Sequence, residues 1–281
     1  MKLLRYGPVG NERPAMLDAH GKVRDLSARI ADIDASALSP GSLAELDRLD
    51  PASLPLVSAP GRIGACIGKV GKFICIGLNY SDHAAETGAR VPPEPIVFMK
   101  ATSAVSGPND PIIKPRSSTK LDWEVELALV IGSPVSYVDE AAAALAIAGY
   151  CVCNDVSERE FQLERQGQWD LGKGCDSFGP IGPWLVTADE VGDPNNLSMW
   201  LEVNGVRHQN GNTRTMVYRP AFLVSFLSQY MSLQPGDVIS TGTPAGVGLG
   251  LKPPLFLNPG DVVELEIEKL GRQRQVVIAA K

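Results

Sequence analysis

The chain has 281 residues, 44% of them apolar and 21% charged, with a net charge of −6, which describes an ordinary folded protein of one large domain, or one large and one small. The acidic balance excludes a general nucleic-acid surface and attachment to anionic membranes. No apolar run reaches the length of a membrane span, and Met1-Lys2-Leu3-Leu4-Arg5-Tyr6-Gly7-Pro8 lacks the apolar core of a signal peptide, so a cytoplasmic location is expected. Cysteines at 66, 75, 151, 153 and 175 form no Cys-x-x-Cys pair and read as buried thiols.

In chain order, Lys2 to Tyr6, Pro14 to Asp18 and Lys22 to Leu26 read as short strands, with His20 in a turn. Ser27 to Ile33 and Ser42 to Leu49 read as short helices capped by their serines. Pro51, Pro55 and Pro60 then punctuate a connection, placing a boundary near residue 65 between a small N-terminal subdomain (1–65) and a main domain (66–281).

Lys72 to Gly77 reads as a strand, and Asn79 to Gly88 as a capped helical turn closed by glycine. His83 and Glu86 share a face of that turn. A carboxylate that holds an imidazole fixes its tautomer and raises its basicity, as a general base requires, although a surface salt pair has the same spacing. Residues 89 to 120 read as long loops around an Ile96 to Met99 strand.

Trp123 to Ile131, written as a strand, puts Glu124 and Glu126 on one face, roughly 6 to 7 Å apart at a rise of ~3.3 Å per residue. The same face continues into Ala128 and Val130, and the other carries Val125, Leu127, Leu129 and Ile131, so both faces are expected to be buried. Val263 to Glu268 is the contrast, a charged and apolar alternation that suits a half-exposed strand. Two ionised carboxylates in a buried strand need a cation or donors. Asp155, ending the apolar run Ala146 to Cys153, can supply a third carboxylate, and equally suits a turn or a helix cap. Three oxygen ligands without His or Cys favour Mg2+ or Mn2+ over Zn2+.

Arg159 and Gln162 follow Asp155, and Lys173 stands between glycines that leave its ammonium free to meet an anion, or simply solvated. Asn204-Gly205 marks a two-residue hairpin turn. Pro220 to Met231 reads as a helix with Phe222, Leu223, Phe226, Leu227 and Tyr230 on a core stripe. Pro-Gly-Asp-Val, at 235 to 238 and 259 to 262, turns twice into a strand. Thr241 to Gly250 is glycine-rich but opens no helix, which argues against nucleotide binding and for backbone donors and Thr hydroxyls that cradle a carboxylate.

Gly77-Leu-Asn-Tyr-Ser-Asp-His-Ala-Ala-Glu, Asp122-Trp-Glu-Val-Glu-Leu, Asn154-Asp-Val-Ser-Glu-Arg, Gly172-Lys-Gly and Ser240-Thr-Gly-Thr-Pro-Ala-Gly-Val-Gly together resemble the fumarylacetoacetate hydrolase family over about residues 70 to 281. The resemblance implies an α+β, mainly β fold of the mixed β-roll or sandwich type, usually a homodimer. It implies Mg2+, with Mn2+ or Ca2+ as substitutes, held by Glu124, Glu126 and Asp155. It further implies a His83–Glu86 dyad on a mobile lid, Lys173 stabilising an enolate, and Arg159, Gln162 and Thr243 at the substrate. Cys175 departs from the family pattern, where an aromatic residue is common, and this bears on substrate shape.

The expected activity is metal-dependent hydrolysis of the carbon-carbon bond of a 2,4-dioxo acid, an acylpyruvate or a diketo-deoxy sugar acid. Ureidoglycolate lyase, isomerase or decarboxylase activity on a 2-oxo dioate, and a non-catalytic metal-binding scaffold are the alternatives. A small 2-oxo or 2-hydroxy acid is the expected partner, and the first 65 residues are expected to serve packing or dimer support.

Overall fold

A computed structural model of the chain describes residues 1–88 and 90–281. At its centre lies the strand Val125–Ile131, every residue of which is buried. Side-chain alternation divides this strand between two cores. Val125, Leu127, Leu129 and Ile131 enter one, and Ala128 and Val130 enter the other. Ile147–Asn154 pairs antiparallel along one edge and Val238–Ser240 along the other.

On the Val238–Ser240 side the sheet continues through Phe73–Gly77, which runs parallel to it, and ends at Ile96–Lys100. On the other side it runs through Gly179–Thr187, Lys2–Tyr6, Arg13–Leu17 and Val23–Asp25. The strands before residue 65 therefore extend the main sheet, with Lys2 opposite Val186 and Leu3 opposite Leu185. A second sheet, in the order Val206–Asn212, Ser198–Val203, Val262–Ile267, Gly271–Ala279 and Ile112–Lys114, packs Met199, Leu201, Val263, Leu265 and Ile267 onto the core that Val125 enters. Val262–Ile267 alternates buried and half-buried residues, and Asn204 and Gly205 have the paired positive φ of 52° and 77° that the hairpin turn requires. The fold is thus the strand-dominated α+β arrangement, built on two large sheets, that the family resemblance implies.

Four local expectations are corrected. Trp123 to Ile131 is not one strand: Leu121–Asp122 pairs with Ser157–Glu158, and the central strand starts only at Val125. The amides of Glu124 and Val125 are taken by the side chains of Asn154 (3.1 Å) and Gln209 (2.9 Å) instead of a neighbouring strand. Ser27 to Ile33 is a turn, because the Ser27 amide donates to Asp25 Oδ1 and Asp32 is drawn away by Arg5. The next helix is Pro40–Asp47, capped by Ser39 and not Ser42, with Pro40 opening its first turn. The last helix is Pro220–Ser228. Its buried stripe is Leu223, Val224 and Leu227, while Tyr230 is 68% exposed and ends a ring stack from Tyr218 through Phe222 and Phe226.

Candidate metal centre and active-site cavity

Two neighbouring strands, Val125–Ile131 and Ile147–Asn154, bring the carboxylates to one point. Asn154 lies opposite Val125 in the ladder, and one residue further the Asp155 amide donates to the Glu124 carbonyl at 2.9 Å. Glu124 and Asp155 are thus set side by side by backbone pairing. Glu126 projects from inside the central strand, and Ser240 Oγ and the Gly242 amide donate to its Oε2 at 2.5 and 2.9 Å. One oxygen from each of Glu124, Glu126 and Asp155 lies within 4.8 Å of the others, and all three residues are buried. Opposed ligands around a hard cation, with bonds of roughly 2.0–2.6 Å, stand about 4 to 5 Å apart, so the donor set fits one such ion.

Cations surround this cluster without neutralising it. Lys173 Nζ donates to Glu124 Oε2 (2.8 Å) and Asp155 Oδ2 (3.0 Å). Arg159 donates through Nη2 to Glu124 Oε1 (2.7 Å) and through Nε to Asp122 Oδ2 (2.8 Å). Lys100 Nζ forms an ion pair with Asp155 Oδ1 at 2.5 Å. Four carboxylates, counting Asp122, face three basic side chains. Burial works against the charge of Glu124, but Lys173 and Arg159 hold its carboxyl well below the ordinary range. Glu126 goes the other way: burial, then the Asp155 and Glu124 charges, push it well above that range. The charges crowd where the three carboxylates converge, and burial there favours a proton on Glu126 unless a cation takes its place.

A second constellation faces the same space. His83 lies in the helix Ser81–Thr87, which Gly88 closes with φ 68°. Its Nδ1 is 3.3 Å from Glu86 Oε2, and the Glu86 carboxylate accepts the Gly246 amide at 2.9 and 3.1 Å. With Nδ1–H given to Glu86, the basic lone pair of the ring is on Nε2. The 241–250 loop does cradle carboxylates, and they are the protein's own: Gly242 serves Glu126, Gly246 serves Glu86, and Gly248 and Leu249 serve Asp122.

His83, Glu124, Glu126, Arg159, Gln162, Lys173 and Thr243 line one cavity of about 260 Å³, so the structure brings the residues singled out in the sequence together, with Glu86 behind His83 and Asp155 at 0% exposure behind the wall. Gln162 accepts from Arg159 Nη1 through Oε1 at 3.0 Å, which leaves its amide nitrogen to offer a ligand. Thr243 Oγ1 donates to the Val125 carbonyl and accepts from Gln209, so a single lone pair remains. Cys175 lies outside the cavity wall, and burial raises its thiol. Sequence reasoning missed Lys100 and the scaffold role of Asp122. A lone lysine after an apolar strand carries no distinguishing signal, whereas Asp122 stood in a quoted motif.

The family model for fumarylacetoacetate (FAA) hydrolase, C-terminal, matches residues 72–278. The chain belongs to the fumarylacetoacetate hydrolase family. A Burkholderia multivorans protein, described in general terms as a hydrolase, is 63% identical over the full length of both chains. A crystal structure described as a probable 2-hydroxyhepta-2,4-diene-1,7-dioate isomerase of Mycobacterium abscessus is 33% identical, covers all of both chains and superposes with a TM-score of 0.85. Maleylpyruvate hydrolase from Sphingobium sp. SYK-6, solved with manganese(II) and pyruvate, is 26% identical over all of both chains, with a TM-score of 0.82. Members of the fumarylacetoacetate hydrolase family are enzymes that act on small substrates, and the buried acidic triad together with the manganese-bound relative supports a divalent metal. Among the described residues no helix is long and apolar enough to cross a membrane.

Proposed function

We propose that the protein is a divalent-metal-dependent hydrolase that cleaves the carbon-carbon bond of a 2,4-dioxo acid, an acylpyruvate or a 2,4-diketo-3-deoxy sugar acid. The observation that carries this reading is the convergence of the Glu124, Glu126 and Asp155 carboxylates beside the same cavity as the Glu86-oriented imidazole of His83. Mg2+ is the proposed ion, with Mn2+ or Ca2+ able to substitute. When bound, it supplies Lewis-acid chelation of the 2-oxo acid end of the substrate.

The chain's own residues would do the rest. His83 takes a proton from water, whose oxygen bonds to the acyl carbon C4. The C3–C4 bond breaks, its electron pair stays on C3 as an enolate, and the proton held by His83 returns to C3, giving the 2-oxo acid product beside the released carboxylic acid. Lys173 stabilises the enolate charge. Gln162, Thr243 and Arg159 border the substrate, Arg159 by holding Glu124 in place. In this proposal residues 66–281 carry the chemistry and 1–65 support packing or a homodimer, in the cytoplasm.

The second reading, isomerisation of a 2-oxo dioate, is favoured by the description of the Mycobacterium abscessus relative. Lyase or decarboxylase chemistry would use the same head group, and a metal-binding scaffold would leave the His83–Glu86 pair idle. The test is turnover by metal-stripped and Mg2+-restored protein of an acylpyruvate, a diketo-deoxy sugar acid, a 2-oxo dioate and ureidoglycolate in parallel. Metal-dependent release of pyruvate from a dioxo acid, lost in His83→Ala, is the expected result. Turnover of the dioate or ureidoglycolate alone would replace the hydrolase reading.

A further inference from the structure

The helix that carries His83 and Glu86, Ser81–Thr87, has seven residues, and its N-cap Tyr80 makes no side-chain cap hydrogen bond. A helix this short does not hold itself in place, so the position of the His83 ring depends on what fixes the chain before and after it. On the entry side Asn79 is tied to two segments. Its Oδ1 accepts the Tyr218 amide (2.8 Å), its Nδ2 donates to the carbonyls of Tyr218 (3.0 Å) and Thr241 (2.7 Å), and its own carbonyl accepts the Val217 amide (2.7 Å). Thr241 precedes the Gly242 amide that serves Glu126, so Asn79 joins the start of the helix to the loop that holds one of the three carboxylates.

The exit is reached by the same residue. Tyr218 Oη donates to the Pro92 carbonyl, beyond the end of the helix, at 2.6 Å. The Tyr218 ring is stacked on Phe222, with centroids 5.2 Å apart and planes at 19°, so the hydroxyl is offered from a fixed base. Tyr218 thus binds the chain before the helix through its backbone and the chain after it through its side chain. It stands outside the cavity wall, whereas His83 is part of that wall.

We propose that Tyr218 is a positioning residue for the reaction: it clamps both ends of the His83–Glu86 helix, and its hydroxyl, by fixing the exit at Pro92, sets where the imidazole stands in the cavity. This rests on the proposed role of His83 as base. Proton transfer requires the donor and acceptor atoms within about 2.6–3.2 Å, and a displacement of roughly 1 Å is costly in rate. The clamp therefore acts on turnover through His83 and leaves the binding of the acid head group alone.

Tyr218→Phe tests this, because it keeps the stacked ring and the Asn79 backbone bonds and removes only the hydroxyl. Hydrogen exchange of the full chain is compared with turnover of a dioxo acid, each with and without His83→Ala. Exchange over residues 81–88 is expected to rise at least about tenfold, with the rest of the chain and the unfolding midpoint little moved. kcat is expected to fall about 3- to 30-fold with KM little changed, and Tyr218→Phe is expected to add nothing to the loss in His83→Ala. Unchanged exchange over 81–88, a rise spread equally through the chain, or the same fall of turnover in both backgrounds would overturn the clamp. Faster exchange confined to 81–88 in a protein that turns over none of the substrates upholds the clamp and removes the catalytic reading of His83. Slower turnover on unchanged exchange upholds the catalytic reading and removes the clamp.

Discussion

Lys100 Nζ lies 2.5 Å from Asp155 Oδ1, and both side chains are fully buried. The same ammonium donates to the carbonyls of Val156 at 3.0 Å and Lys173 at 2.7 Å, so one cation ties the third carboxylate of the cluster to the segment that presents Lys173. Removing it leaves Asp155 in the interior with only Lys173, which it shares with Glu124. Lys100→Met is expected to lower stability by about 3–5 kcal/mol, read by chemical denaturation. The Lys100→Met/Asp155→Asn pair is expected to recover much of that loss, because the uncompensated charge goes with it. Additive losses would show that the two groups act separately.

Glu86 acts on the cavity through His83. Glu86→Gln keeps an oxygen for the Gly246 amide but removes the charge that orients and polarises the ring, so kcat is expected to fall about 10- to 100-fold with KM little changed. His83→Ala removes the base itself and is expected to cost about 100- to 10,000-fold. Equal kcat in Glu86→Gln and the unaltered enzyme would take Glu86 out of the proton-transfer path.

The sequence made the acidic pair legible because apolar residues occupy both faces of the strand around Glu124 and Glu126, and the fold does bury both faces. It gave the wrong mechanism for the geometry. Glu124 stands outside the regular strand, where Asn154 and Gln209, distant in sequence, take the backbone amides, and such side-chain competition has no periodic signature. The glycine-rich loop was legible as a carboxylate cradle by its failure to open a helix, but which carboxylates it holds depends on tertiary pairing. Lys100 was invisible for the same reason. Tyr230 was misassigned because a helical stripe shows which residues share a face and not where the last turn leaves the core.

Acid stability should depend on Asp25, which lies away from the cavity. Burial opposes its charge, yet hydrogen bonds from Tyr6 and Ser27 and the Arg13 charge hold it below the usual carboxylate range. A depressed folded value means stability that is present above the ordinary Asp range and is lost as pH falls through it toward the folded value. Tm is therefore expected to drop as pH falls below the ordinary Asp value of 3.8, and less steeply in Asp25→Asn. Tyr6 works at the other limb: burial first, then Asp25, pushes it up to about 12. Its contribution is present below the ordinary value near 10 and lost as pH rises toward 12. Tyr6→Phe should flatten that alkaline decline, and an unaltered slope would show that Tyr6 does not cause it.

Gly246 has φ +106°, and a Cβ there would lie 2.0 Å from the His208 carbonyl oxygen. Gly246→Ala must displace the amide that holds Glu86, so it is expected to cost at least about 2 kcal/mol of stability and to lower kcat in the survivors. Retention of both, by denaturation and by assay, would contradict the cradle described for this loop.

The most direct measurement is Mn2+ binding to metal-stripped protein, followed by electron paramagnetic resonance and calorimetry, in the unaltered chain, in Glu126→Gln and in His83→Ala. One ion per chain, weakened at least about 100-fold in Glu126→Gln and retained in His83→Ala, is the expected result. Binding that survives Glu126→Gln unchanged, or no binding to the unaltered protein, would contradict a metal centre at Glu124, Glu126 and Asp155.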